Sequence, residues 1–340
     1  MNKRLVAVAG GAVVLLVAGY WGLSAQAGKR AEKRLEDWAY DMELDDKLHW
    51  QSVSSSPFGG RVTIHGVELE TGRNQPALRV AELIVSDALQ DDERSRIRLQ
   101  FKGIEADDSA YADLRGIGAL AGGDVRRAMH GFEPALSSGL LTLKPSDLEL
   151  YVDIDDKAGT LESELAVDLP ELFETRINYQ LSNQRGLNKQ LSRLQDDLAD
   201  ADNIFQALGL LEGVGQGLQR AELASVTLAF KDRGMVKRSI ALQQRYNTPL
   251  DPTAGSADEQ RERHYQRHVE QMVSNCQAED LGRSLEDACE LMGDVLRGDA
   301  KGLELSLRPD KVRLADLGKI NSERSAKRLI ERLNPKLSSL

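Results

Sequence analysis

The stretch LELYVDIDDKAGTLESELAVDLP, residues 148–170, decides the fold class. Leu148, Leu150, Val152 and Ile154 fall on one side of a period-two pattern, and Glu149 and Asp153 fall on the other. Asp155-Asp156-Lys157-Ala158-Gly159 turns the chain, and Leu161, Leu165 and Val167 return on the apolar side. Pro170 breaks this strand, after which Phe173, Ile177, Tyr179 and Leu181 continue the alternation. Successive alternating runs joined by short turns form an antiparallel meander. Its opposite face carries Glu149, Asp153, Glu162, Glu164, Asp168 and Glu174, and such a face is expected to be solvated. The apolar face needs a cover, because burying each Leu, Ile, Val or Phe is worth about 1.5–3 kcal/mol.

Downstream of the meander a cover is at hand. Leu187, Leu191, Leu194, Leu198, Ala201, Phe205 and Leu208 recur at spacings of four and three, which predicts an amphipathic helix over 187–208 ended by Gly209 and Gly213. A second β unit is expected over 223–243, with Val226, Leu228 and Phe230 going out, Asp232-Arg233-Gly234 turning, and Val236, Ile240 and Leu242 returning. Pro249, Asp251-Pro252 and Gly255-Ser256 mark a loop. A helical hairpin over 257–297 follows, with Tyr265, Val269, Met272 and Cys276 on one stripe and Leu285, Cys289, Met292 and Leu296 on the next, Ser284 and Asp287 opening the second helix. Leu303, Leu305 and Leu307 predict a late strand and residues 322–333 a closing helix, so the terminal strand and helix span 302–334.

Upstream, the β-rich region is expected to run from 49 to 183. Arg96-Ile97-Arg98-Leu99-Gln100-Phe101-Lys102 alternates polar and apolar, and Gly59-Gly60 is a turn signal. The pairs Val62/Ile64 and Leu78/Val80 each slip by one residue before Val67/Leu69 and Leu83/Val85, as a β-bulge would cause. Residues 112–136, interrupted by Gly116, Gly118, Gly122 and Gly123, read as helix or loop. Residues 28–48 form a juxtamembrane helix or stalk of mixed charge. Before them, the run 5–27 is free of charge and preceded by the short tail 1–4 with Lys3 and Arg4. As a helix its first twenty-one residues would span about 32 Å, enough for a hydrocarbon core of about 30 Å. Leu5, Val14 and Leu16 belong to this span, with Tyr20 and Trp21 near its distal end, where amphipathic rings favour the interface. A signal anchor is the expectation; Ala25-Gln26-Ala27 keeps open a cleaved signal peptide. Lys29, Arg30, Lys33 and Arg34 outnumber the tail charges and oppose the positive-inside rule, yet the main domain, 49–340, is expected outside the cytoplasm.

Composition narrows the function classes. The 340 residues carry a formal net charge of −10 with Lys and Arg dispersed, which argues against nucleic-acid binding. Cys276 and Cys289 are the only cysteines. On export they are expected to bridge, closing a loop worth about 3 kcal/mol in the entropic account; the alternative is two buried thiols. No catalytic, cofactor-binding or metal-binding residue is assigned. His264 and His268 stand one helical turn apart without the HExxH pattern, among Arg261, Arg263 and Arg267, and read as exposed histidines. His49, His65 and His130 show no matching partners in the sequence. The acids Asp153, Asp155, Asp156 and Glu162 with Gly159 do not fit the EF-hand spacing. Gly213, Gly215 and Gly217 follow a helix rather than a strand, so a phosphate-cradling loop is not inferred.

The opening Ser56-Pro57-Phe58-Gly59-Gly60-Arg61-Val62-Thr63-Ile64-His65-Gly66-Val67-Glu68-Leu69 resembles that of AsmA-like and YdgA-like bacterial envelope proteins. Residues 224–234 (ASVTLAFKDRG) and 303–309 (LELSLRP) look similar to repeated elements of such proteins. The resemblance implies a single-pass bacterial inner-membrane protein with a mostly periplasmic, β-rich body, in a class where some relatives are associated with phospholipid traffic or envelope integrity. The expected fold is therefore α+β: an N-terminal transmembrane helix, then a curved antiparallel sheet packed with amphipathic helices. The expected function is non-enzymatic, shielding or handling lipid in envelope maintenance. The alternative is an interaction scaffold in which helix 187–208 or the cysteine hairpin docks another envelope protein.

Overall fold

The computed structural model describes residues 29–41, 46–56, 60–70, 76–106, 139–140, 143–189, 220–278, 287–318 and 323–340. The anchor 5–27, the stretch 112–136, residues 190–208 of the expected helix, and Ser284 with Leu285 lie outside the described residues. No helix among the described residues is long and apolar enough to cross a membrane. The fold is α+β and β-rich, mostly antiparallel sheet with a few helices.

The chain divides into two compact units, the first Met1–Gly131, Pro145–Leu165 and Gln180–Glu222, the second Phe132–Lys144, Ala166–Tyr179 and Leu223–Leu340. The stretch expected as one domain, 49–340, is thus shared between both.

The first unit opens with helix α1 (Lys29–Asp41), followed by β1 (Leu48–His49), β2 (Ser52–Ser55), β3 (Arg61–Glu70), β4 (Pro76–Gln90), β5 (Arg94–Ala106) and β6 (Ser146–Asp155). β1 and β2 both pair with β3, and the ladder continues through β4 and β5 to β6, each pair antiparallel. β6 leads into β7 (Thr160–Leu169), and β8 (Phe173–Ser182) follows; the units divide both strands. The four-residue connection 156–159 admits only an antiparallel β6–β7 pair. The β4–β5 turn is closed by Asp91, whose carboxylate accepts from the backbone N–H of Glu93 and Arg94 at 2.9 and 2.8 Å.

Core-facing residues change sidedness along one line across this sheet. They step by three rather than two, from Ile64 to Val67 in β3, Leu83 to Val80 in β4 and Phe101 to Ile104 in β5. The slip expected from the sequence is therefore present, but not as a bulge between β3 and β4. Each of these strands carries the extra residue at the same level, so His65 still faces Glu82 and Val67 still faces Val80. Gly66 (φ +61°), Ala81 and Gly103 (φ +65°) form this seam. At β6 it ends as a true offset, Phe101 facing Leu148 but Ile104 facing Ser146. There Gly103 N–H donates to the Asp147 carboxylate at 2.8 Å.

The second unit contains β9 (Glu222–Asp232) from Leu223 onward, α2 (Met235–Asn247), α3 (Ala257–Gln277), α4 (Ala288–Arg297), β10 (Gly302–Leu307), β11 (Val312–Arg313), α5 (Leu314–Leu317), α6 (Glu323–Leu333) and β12 (Pro335–Ser339). β10 pairs antiparallel with both β9 and β12, and β11 pairs with β9. The expected return strand at Val236, Ile240 and Leu242 is instead helix α2. Val236 and Ile240 are four apart, as on a helix face, and Asp232, two residues ahead of the N-cap Gly234, accepts from the Val236 N–H at 2.9 Å, satisfying a first-turn donor. Helix α3 starts with a capping box between Ser256 and Glu259 and buries Tyr265, Val269 and Val273; Met272, expected on that stripe, is exposed. Helix α4 is described over Ala288–Arg297 with Asp287 at its N-cap, and Met292 is exposed.

Candidate functional site

A sheet that handles apolar ligand must leave part of its apolar face open, so the cover of each face is the first question. In the first unit the face is covered over β3, β4 and β5. Leu35 and Ala39, one turn apart on α1, are buried in a cluster with Val62, Val67, Leu83, Leu99 and their neighbours, and Leu83 and Leu99 are 2% and 1% exposed. The segment read as a juxtamembrane helix or stalk thus contributes a helix that is part of this core.

In the second unit the apolar row is less covered. The register sets Val226 against Leu307, Leu228 against Leu305 and Phe230 against Leu303, and β12 adds Leu337 opposite Leu305. The Phe173 and Phe230 rings meet in a tilted pair, centroids 5.6 Å apart. Val226, Phe230, Leu303, Leu305, Leu307 and Leu337 are half-buried, and Leu228 is 38% exposed. These residues form a contiguous apolar strip on strand backbone, where position is set by pairing rather than by loop conformation.

The acidic face of residues 149–174 is not the bare solvated surface expected. Arg94 Nε and Nη2 donate to Asp153 at 2.9 and 2.5 Å, and Asp153 is buried. The Tyr151 hydroxyl adds a third donor at 3.2 Å. The Arg94 hydrogen bonds hold the Asp153 carboxyl below its usual range against the cost of burial. Arg98 donates to Glu149, reaches Asp87 at 3.1 Å, and lies 4.4 Å above the Tyr151 ring. In the second unit Arg233 bridges Glu174 at 2.6 Å and Asp168 at 3.5 Å. The strand alternation places these acids correctly; their arginine partners follow only from the register.

His65, which shows no partner in the sequence, has two in the fold. Its Nε2 lies 3.4 Å from Ser54 Oγ and its Nδ1 lies 3.6 Å from Glu82 Oε1. This is the order of a nucleophile, a base and an orienting carboxylate. The Ser54 hydroxyl, however, also donates to Thr63 O at 3.4 Å, and the trio sits on open strand surface, His65 and Glu82 being 37% and 43% exposed. With solvent on the reacting side, the trio works as a cross-strand polar cluster that favours the β2–β3–β4 register. His49 likewise faces Glu70 at 3.8 Å.

Of the assigned site residues, Cys276 and Cys289 are joined in a disulfide, Cα atoms 5.7 Å apart, linking α3 to α4. Leu5, Val14, Leu16, Tyr20 and Trp21 lie outside the described residues. Beside the disulfide, Tyr265 donates to Leu296 O at 3.1 Å, and burial pushes its phenol up to about 12. Asp155 and Asp156 serve the β6–β7 turn, Asp155 accepting from Ala158 N–H at 2.7 Å and Asp156 from Asn188 N–H at 3.2 Å. Among the described residues no three His, Cys, Asp or Glu side chains converge to hold a metal ion.

No protein-family description matches this chain, and no curated protein matches it.

Proposed function

We propose that the chain is a membrane-anchored envelope protein without chemistry of its own, whose second unit handles lipid by holding acyl chains against the strip of β9, β10 and β12. The observation that carries this reading is the exposure of Leu228 at 38% in the middle of a row made of Val226, Phe230, Leu303, Leu305 and Leu307. An acyl chain laid along such a row gains about 25 cal/mol per Å² of apolar surface removed from water. The charge-free run 5–27 supports a single-pass anchor in a bacterial inner membrane, and the Cys276–Cys289 bridge supports a periplasmic body, since disulfides persist in oxidising compartments. The resemblance to AsmA-like and YdgA-like proteins supports the same setting.

Mass spectrometry of gently purified full-length protein tests it. Phospholipid is expected on the wild type and is expected to be lost from Leu228→Glu, which keeps the anchor and so controls for lipid carried by the span. Absence of lipid from the wild type, or equal lipid on both, overturns the reading. A second reading, a docking scaffold, is favoured by Met272 and Met292, which are 43% and 48% exposed on the disulfide-linked hairpin. It predicts a discrete crosslinked partner in cells, captured from either position and absent after Met292→Glu.

A further inference from the structure

The sequence places His264 and His268 among arginines, which would disfavour a cation there. The fold separates the two groups. His264 and His268 line a cleft of about 220 Å³ together with Gln243, Gln244, Asn247 and Thr248, between α2 and α3. Arg263 and Arg267 line a different groove of α3, with Glu262 and Gln266. The guanidinium groups are also engaged: Arg261 donates to Asp258 at 3.0 Å, Arg263 to Ala254 O at 3.2 Å, and Arg267 to Arg263 O at 3.3 Å. Gln244 is held by Glu262 at 3.0 Å, and Tyr265, between the two histidines, is committed to Leu296 O.

We propose that this cleft binds a borderline divalent transition-metal ion of the Cu2+ or Zn2+ type through the imidazoles of His264 and His268, with oxygen donors from solvent and from the Gln243 and Asn247 amides completing the set. Residues four apart on a helix lie on one face about 5–6 Å apart at Cβ, a spacing two imidazoles can close on one ion. Imidazole suits copper, nickel and zinc, and for a given nitrogen–oxygen site copper binds most tightly of these. A two-histidine site with solvent-filled positions is an exchangeable site rather than a structural one. The proposal goes beyond the lipid reading and does not rest on it.

Titration of Cu2+ into full-length protein in mild detergent, followed by calorimetry and by electron paramagnetic resonance, tests the site. One equivalent per chain with nitrogen hyperfine structure is expected, and Zn2+ is expected to compete. His264→Ala and His268→Ala should each weaken binding at least about 10-fold, while His49→Ala, His65→Ala and His130→Ala leave it unchanged. Because a proton competes for each imidazole nitrogen, affinity should fall on acidification. Failure to saturate at one equivalent, or saturation that survives in the His264→Ala/His268→Ala double variant, overturns the proposal. Unchanged thermal melts of the apo variants would keep loss of fold from imitating loss of the site.

Discussion

At the residue scale the most consequential side chain is Asn188. It is 2% exposed, receives the Ser95 hydroxyl, donates its amide N–H to Asp91 O at 2.9 Å, and offers its backbone N–H to Asp156 at 3.2 Å. The side-chain amide therefore ties the β4–β5 turn to strand β5, while the backbone N–H of the same residue reaches the β6–β7 turn. Asn188→Ala orphans a hydroxyl on Ser95, itself 1% exposed, and is expected to cost about 1–3 kcal/mol in denaturant unfolding. Adding Ser95→Ala should restore part of that loss, which a double-mutant cycle would measure. Asp153 gives a pH signature. Its folded value lies below the ordinary 3.8, so its contribution is complete above that pH and disappears as pH falls through the lower folded value. Asp153→Asn should therefore be less stable than wild type at neutral pH, by about 1–2 kcal/mol after allowing for the solvent that screens Arg94. The gap should begin to close in urea melts as pH falls below 3.8 and be gone only below the lower folded value. Neither residue was marked by the sequence as more than a polar position, because a hydrogen-bond network between distant segments has no local signature.

Elements were more legible where one pattern governed them. The meander over 148–181, the strand at Leu303–Leu307 and the helix at 322–333 followed from period alone, since each has one apolar and one polar side. The segment 235–247 misled because Val236, Ile240 and Leu242 fit a strand nearly as well as a helix; the arbiter is the bond from the Val236 N–H to Asp232, visible only once the turn is built. Strand β12 escaped notice because Pro335 opens it and Leu337 is its only large apolar residue between there and Ser339. The α3–α4 hairpin carries its own prediction. Its packing depends on Gly293, where an added Cβ would sit 2.7 Å from Val273 Cγ2, so Gly293→Val should be more damaging than reduction of the disulfide. Reduction itself, with thirteen residues of separation, should cost about 2–3 kcal/mol and appear as earlier proteolysis of residues 257–297.

For the whole molecule the compartment decides which readings stand together. A reporter fused after Leu340 is expected to be active only outside the cytoplasm; a cytoplasmic signal would overturn the anchored orientation and remove the oxidising setting invoked for the disulfide. The apolar strip was half legible: its residues stand in the alternations at 226–230 and 303–307, but their alignment into one row depends on the Leu228–Leu305–Leu337 register, which no single segment encodes. The histidine cleft was hidden for the same reason, since Gln243 and Asn247 come from helix α2, whose residues up to 243 read as a strand. The seam through Gly66, Ala81 and Gly103 carries a further consequence for how such a chain can change over descent. Loss of one residue at a single crossing would turn the step of three into the ordinary step of two and so keep the apolar side inward, but it would throw that strand out of register with neighbours that still carry the extra residue, whereas matched losses in all three would keep the pairing. Length variation there must therefore be inherited in concert, and deletion of Gly66 alone should be far less tolerated than simultaneous deletion of Gly66, Ala81 and Gly103.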